Sequence, residues 1–278
     1  MPNRWSIAAT LVLWFVMMGL LVQREVVPRW RSAGAPSYAV DDVERLVSEG
    51  PSYWRVYRDG RPVGRAKLWW ERSARGAVSH AVVVLWESPL GTLFGRDRTR
   101  QRLTIRSESY VDEHGKLTRF QTALYVGSPV PMATLEGVRR DRRLDVVAKV
   151  DRFEQRMSFF YDDSAFWSPG LVPLDRMRGL KVGQSWVWKV MDPIRGSPGL
   201  VRCRVLAERE VPWRGQVVRA YVIEQDYSGL KTQALVAQDG TILRQQIPFG
   251  WASYTVVRVQ RSGRYQRMFW MHDANSGH

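Results

Sequence analysis

The chain has 278 residues, 45% of them apolar and 25% charged, which is enough for a substantial core and rules out wholesale disorder. Its formal net charge is +15, and since the first fifty residues hold five Arg and five acids, the whole excess belongs to residues 51–278. A single cysteine, Cys203, excludes an intramolecular disulfide without fixing the redox compartment.

Of the 42 basic residues only six are Lys. They are scattered through the strand-like segments rather than gathered in one stripe. This favours a generally charged outer face over a nucleic-acid site, and no nucleic-acid partner is expected. Attraction to an anionic surface, lipid headgroups or nucleic acid, is the sharper alternative, and nucleic-acid binding through the basic surface stays a minority reading of the function. Cys203 shares a strand face with Val201 and Val205 and is read as an inert core thiol.

Taken in order, Trp5 to Val22 is an uncharged apolar run of eighteen residues. As a helix it would span roughly 27 Å, close to a hydrocarbon core. The expected membrane anchor is residues 1–25, with Leu13, Trp14, Phe15 and Leu21 in lipid and Trp5 at the interface. A cleaved signal peptide is the competing reading. No small-residue cleavage site follows Val22, which favours an uncleaved anchor. Charges flank the run on both sides, so counting them does not orient it. A short tail before a large domain leaves the tail in the cytoplasm, and the expected localisation is therefore a single-pass bacterial inner-membrane protein whose main domain is periplasmic.

Residues 26–39 carry two Pro and an Ala-Gly-Ala and form a linker. Residues 40–272 are one β-rich domain, and 273–278 a frayed tail. The domain opens with a ten-residue helix: Asp41 is the N-cap, Val43, Leu46 and Val47 share a face, and Gly50-Pro51 stops it. From Tyr53 strand patterns dominate, with a hairpin at Asp59-Gly60 and a nearly all-apolar strand from Val78 to Trp86, covered on both faces. Arg102 to Tyr110 alternates cleanly, with Leu103 and Ile105 on one face. Strands follow at 118–126, 143–150 and 152–161.

Alternation fails between Asp162 and Gly183, which predicts a loop with one or two helical turns. Gln216 to Ile247 is the most legible stretch, three β-branched segments separated by Ser228-Gly229 and Asp239-Gly240. Strands at 253–260 and 265–271 end the domain. The fold class is mainly β: ten to thirteen antiparallel strands in a wide curled sheet or half-open barrel, short helices over its concave side, preceded by the transmembrane helix.

Three stretches carry a resemblance: Tyr53-x-x-Val-Tyr-x-Asp-Gly-x-x-Val-Gly64, Leu180-Lys-Val-Gly-Gln-Ser-Trp186, and Ala234-Leu-Val-x-x-Asp-Gly-Thr-Ile-Leu-Arg244. Over residues 52–260 the chain resembles bacterial periplasmic β-rich envelope proteins, including β-regions that precede transglutaminase-like domains. These are similar in build to the Lol-type lipoprotein carriers. The resemblance implies a curved antiparallel sheet around helices, in some relatives enclosing an apolar cavity for acyl chains. It carries over no catalytic residue.

Nothing in the residues points to catalysis. The four His lack metal-ligand spacing, Cys203 has no evident His partner, and no nucleophile elbow or phosphate loop occurs. No catalytic residue, metal or cofactor is expected. The aromatics Trp69, Trp86, Phe120, Trp186 and Trp188, with Leu103 and Ile105, either pack a filled core or line a concavity for an apolar chain. The first expectation is a non-catalytic module binding an apolar or lipid-like ligand. The second is an interaction module with a filled core that docks an envelope partner by its rim or edge strand.

Overall fold

The computed structural model describes residues 43–86, 102–161, 174–192, 197–227, 229–249 and 252–259. The expected anchor, linker, final strand at 265–271 and tail lie outside the described residues. Among the described residues no helix is long and apolar enough to cross a membrane.

Among the described residues one helix, α1 (Val43–Glu49), precedes fourteen strands. These are β1 (Ser52–Arg58), β2 (Arg61–Ser73), β3 (Gly76–Leu85), β4 (Leu103–Val111), β5 (Leu117–Val126), β6 (Ala133–Arg140), β7 (Arg143–Val150) and β8 (Phe153–Phe160). Then come β9 (Ser185–Asp192), β10 (Ser197–Trp213), β11 (Gln216–Tyr227), β12 (Leu230–Ala237), β13 (Ile242–Phe249) and β14 (Ala252–Val259). All belong to one open antiparallel sheet in the order β8-β7-β6-β5-β4-β3-β2-β1-β14-β13-β12-β11-β10-β9. Each half of the chain is a meander, and the two meet where β1 pairs with β14. At about 4.8 Å per strand such a sheet would be roughly 60 Å wide if flat, and native twist makes one this wide curl.

Local chemistry explains the hairpins. Arg58 pairs with Arg61 across Asp59 and Gly60, whose φ of 49° and 76° give the primed turn that matches strand twist. The strand missed by pattern reading is β6, because Gly137 sits in its middle and Gly weakens strands. Here the glycine is a packing requirement. A Cβ on it would lie 2.0 Å from Cε1 of Phe120, its cross-strand partner, so the ring occupies the space a side chain would take.

Alternation assigns one face of the sheet to the core. A row of directly paired residues starts at Val205 on β10 and passes Ile223, Ala234 and Gln245. It crosses Val256 and Val56 at the seam between the halves, then runs through Gly64, Leu85 and Leu103 to Val126 on β5. Every member is buried. Gly64 is required in this row, since a Cβ there would come 2.3 Å from the Val84 carbonyl oxygen. Removing side chains of this kind from water stabilises the fold by about 1.5–3 kcal/mol for each large one. On β3 Val83 and Leu85 lie buried on the core face, and the face behind them is buried at Val78 and Val84 but only half-buried at His80 and Val82, so the expected cover on both faces is partial.

Three expectations need correction. The helix has seven residues rather than ten, with Gly50 at φ 71° ending it, and it packs against β2. β10 runs to seventeen residues because a register shift between Val205 and Ala207 lets it continue beyond the apolar run. The described part of the expected helical interruption, residues 174–183, is not helical. It has one bridge, Arg176 to Thr241, and a turn closed by the Gln184 amide on the Lys181 carbonyl, while the Met177 amide and the Asp175 carbonyl bond to the sheet.

Candidate functional site

The core face divides into a large and a small cluster. The large one takes in Trp54, Leu68, Leu103, Ile105, Trp186 and Ile223 together with Met177 and Leu180 of the 174–184 segment. The small one holds Leu117, Phe120, Leu135, Leu144, Val146 and Tyr161.

The 174–184 segment is fastened across the β13–β14 part of the sheet. The Met177 amide donates to the Gly240 carbonyl at 2.8 Å, and the Ile242 amide to that of Asp175 at 3.2 Å. The Leu174 amide donates to Oε1 of Gln245 at 3.2 Å. Arg258 reaches the Asp175 carboxylate at 2.8 Å, with both side chains only 14% exposed, while its guanidinium stands over the Trp54 ring. Arg176 pairs with Glu49 of α1 at 2.6 Å. Burial leaves these pairs little screening, so they hold the segment and helix in place.

The candidate ligand-lining residues do not all share this face. Leu103, Ile105 and Trp186 enter the large cluster and Phe120 the small one. Trp69 does not. It sits on the outer face of β2, where its indole donates to Glu71 at 2.8 Å and stacks on the His80 ring at 5.0 Å. Its neighbours Ala66 and Leu68 alternate inward, and Trp69 is turned out by the same period. Trp86, just past β3, is 49% exposed, so it lines no interior. Trp188 pairs with Val201 in β9, and its side chain lies outside the described residues.

Sequence reading passed over the polar residues on the core face. Directly paired across β9 to β12 run Trp186, Cys203, Gln225 and Thr232. Cys203, Gln225 and Thr232 are at most 2% exposed, and Gln245, one residue pair away from this row, is 3% exposed. Burial pushes the Cys203 thiol well above its ordinary value, as it does the Tyr227 hydroxyl, whose pKa is raised further by the nearby thiol. Tyr254 on β14 is shifted the same way, again chiefly by burial. These groups stay neutral, so the thiol is a poor nucleophile. The signal that could have found them is the run Ile223-Glu-Gln-Asp-Tyr227, whose alternation places Gln225 on the same face as Ile223 and Tyr227.

On the outer face His80 lies between two carboxylates, 3.4 Å from Glu71 and 3.5 Å from Glu108. Among the described residues no group of three or more His, Cys, Asp or Glu could hold a metal.

The fold is similar to that of a solved protein: the crystal structure of a β-barrel-like protein of a domain of unknown function, DUF1849, from Brucella abortus. The TM-score is 0.49 and the identity 11%, over 76% of this chain and 95% of that one. No protein-family model matches the sequence, and neither does any curated protein.

Proposed function

We propose that this chain is a non-catalytic, membrane-tethered extracytoplasmic module that binds an apolar or lipid-like ligand on the concave face of its curled sheet. The observation that carries the reading is the row from Val205 to Val126. Ten strands contribute one continuous core-face line with no charged member. Such a face takes up chain surface at about 25 cal/mol per Å², with no directional contact required. Leu103, Ile105 and Trp186 are its walls, and Met177 and Leu180 its inner lid. The apolar run Trp5–Val22 is the tether in this reading, and its direction is tested by a topology reporter fused after His278.

The test is uptake by the full-length chain after delipidation, followed by native mass spectrometry with methyl palmitate, an uncharged acyl chain, at micromolar concentration. A retained acyl chain in stoichiometric amount is the expected result. If none is retained, the reading is dropped.

A second reading, an interaction module docking a partner by its edge strand, has one observation of its own. On β8, at one end of the sheet, Phe153 is 85% and Phe160 68% exposed. Large aromatics on an edge strand invite pairing with another chain.

A further inference from the structure

Gln225 has no structural partner for its amide. The residue is 0% exposed, and neither Oε1 nor Nε2 has a hydrogen-bond partner. A primary amide offers two donors and an acceptor, and leaving them unmet in an apolar interior costs more than a typical hydrogen bond returns. Gln245 on the same face provides the contrast. It is just as buried, but its Oε1 accepts the Leu174 amide and fixes the covering segment. The groups directly across from Gln225 do not meet its need. Cys203 stands on one side, and on the other Thr232 spends its hydroxyl on the Gln225 main-chain carbonyl, at 3.4 Å.

We propose that the Gln225 side chain is the polar anchor of the ligand site and recognises a neutral carboxamide head group carried on an apolar chain. The proposal rests on the reading of the concave face as a ligand site. A carboxamide satisfies both ends of the glutamine at once: its carbonyl accepts from Nε2 and its N–H donates to Oε1. An ester head can only accept and leaves Oε1 unmet. A carboxylate brings a charge into a face whose nearest titratable groups, Cys203 and Tyr227, are themselves held neutral by burial. A bare hydrocarbon satisfies neither end.

Three probes of equal chain length separate these cases: palmitamide, methyl palmitate and hexadecane. Each is offered to the delipidated full-length chain, and the retained amount is measured by mass spectrometry of the extract. Wild type should retain palmitamide about tenfold better than hexadecane, with the ester between them. In Gln225→Leu the preference should vanish, the three probes being retained equally, and the ligand-free variant should unfold no earlier than wild type. Gln225→Met repeats the test should the leucine variant fold poorly. Gln245→Leu should lose stability yet keep the preference.

A preference that survives in Gln225→Leu overturns the anchor. So does a wild type that retains all three probes equally, as it would if water alone served the amide. In both cases the ligand reading stands. A wild type that retains none of the three removes the reading and the anchor together.

Discussion

The two ends of this sheet share a face and differ in what they do with it. From β9 through β14 to β4, and on to Val126 of β5, the core-face side chains merge into the large cluster, many with no exposure at all. From β5 to β8 the same face supports the small cluster, and β8 itself is mostly exposed. Between them the hydroxyls of Ser107 and Thr122, cross-strand partners on β4 and β5, bond at 2.9 Å. This polar pair interrupts the apolar surface between Leu103–Ile105 and Phe120. Strand pairing is continuous, but the packing is not, so continuity of hydrogen bonds does not by itself make one equally stable body.

The largest expected effect comes from emptying the large cluster. Trp54→Ala removes a 1% exposed indole and leaves its bond to Ser52 unmade. It should cost about 3–5 kcal/mol in urea unfolding, shared by every spectroscopic probe. A midpoint close to wild type would mean that the large cluster does not govern global stability.

Gly137→Ala attacks the other end. The added methyl meets the Phe120 ring, which must move, at about 1–3 kcal/mol. Amide exchange should quicken in β5 to β8 and stay slow in β10 to β13. Uniform loss of protection along the chain would erase the distinction between the two regions.

The smallest effect is a pH dependence confined to the large region. Cys203, Tyr227 and Tyr254 lie on β10, β11 and β14, and all three have folded pKa values raised above the unfolded ones. Below the unfolded values they are protonated in both states and stability is full. Above about pH 8.5 for the thiol and about 10 for the phenols, the unfolded chain sheds protons that the folded chain keeps. Stability should then fall by up to about 1.4 kcal/mol per pH unit for each group. Cys203→Ala should remove the portion that begins first, and Tyr227→Phe part of the later one. Urea midpoints that stay flat with rising pH would contradict the burial assigned to these side chains.

How much of this was legible depended on range. Asp59-Gly60, Ser228-Gly229 and Asp239-Gly240 announced their hairpins because a turn is specified by the residues within it. The helix at Val43–Glu49 and the three strands after Gln216 were read for the same reason. β6 was lost because Gly137 argues against a strand until the Phe120 ring that fills its place is known.

Period-two alternation told that two faces exist, and not which is inside. In β2 the inward set is Gly64, Ala66 and Leu68, and the bulkier Trp69 is outward, a choice made by the neighbours across β1 and β3. The sequence by itself determined strands, turns and an antiparallel class, because those follow from local sterics. The pairing of β1 with β14, residues some two hundred apart, was decided only in three dimensions, along with the burial of Gln225 beside Cys203. Both depend on contacts between segments that carry no local mark of each other.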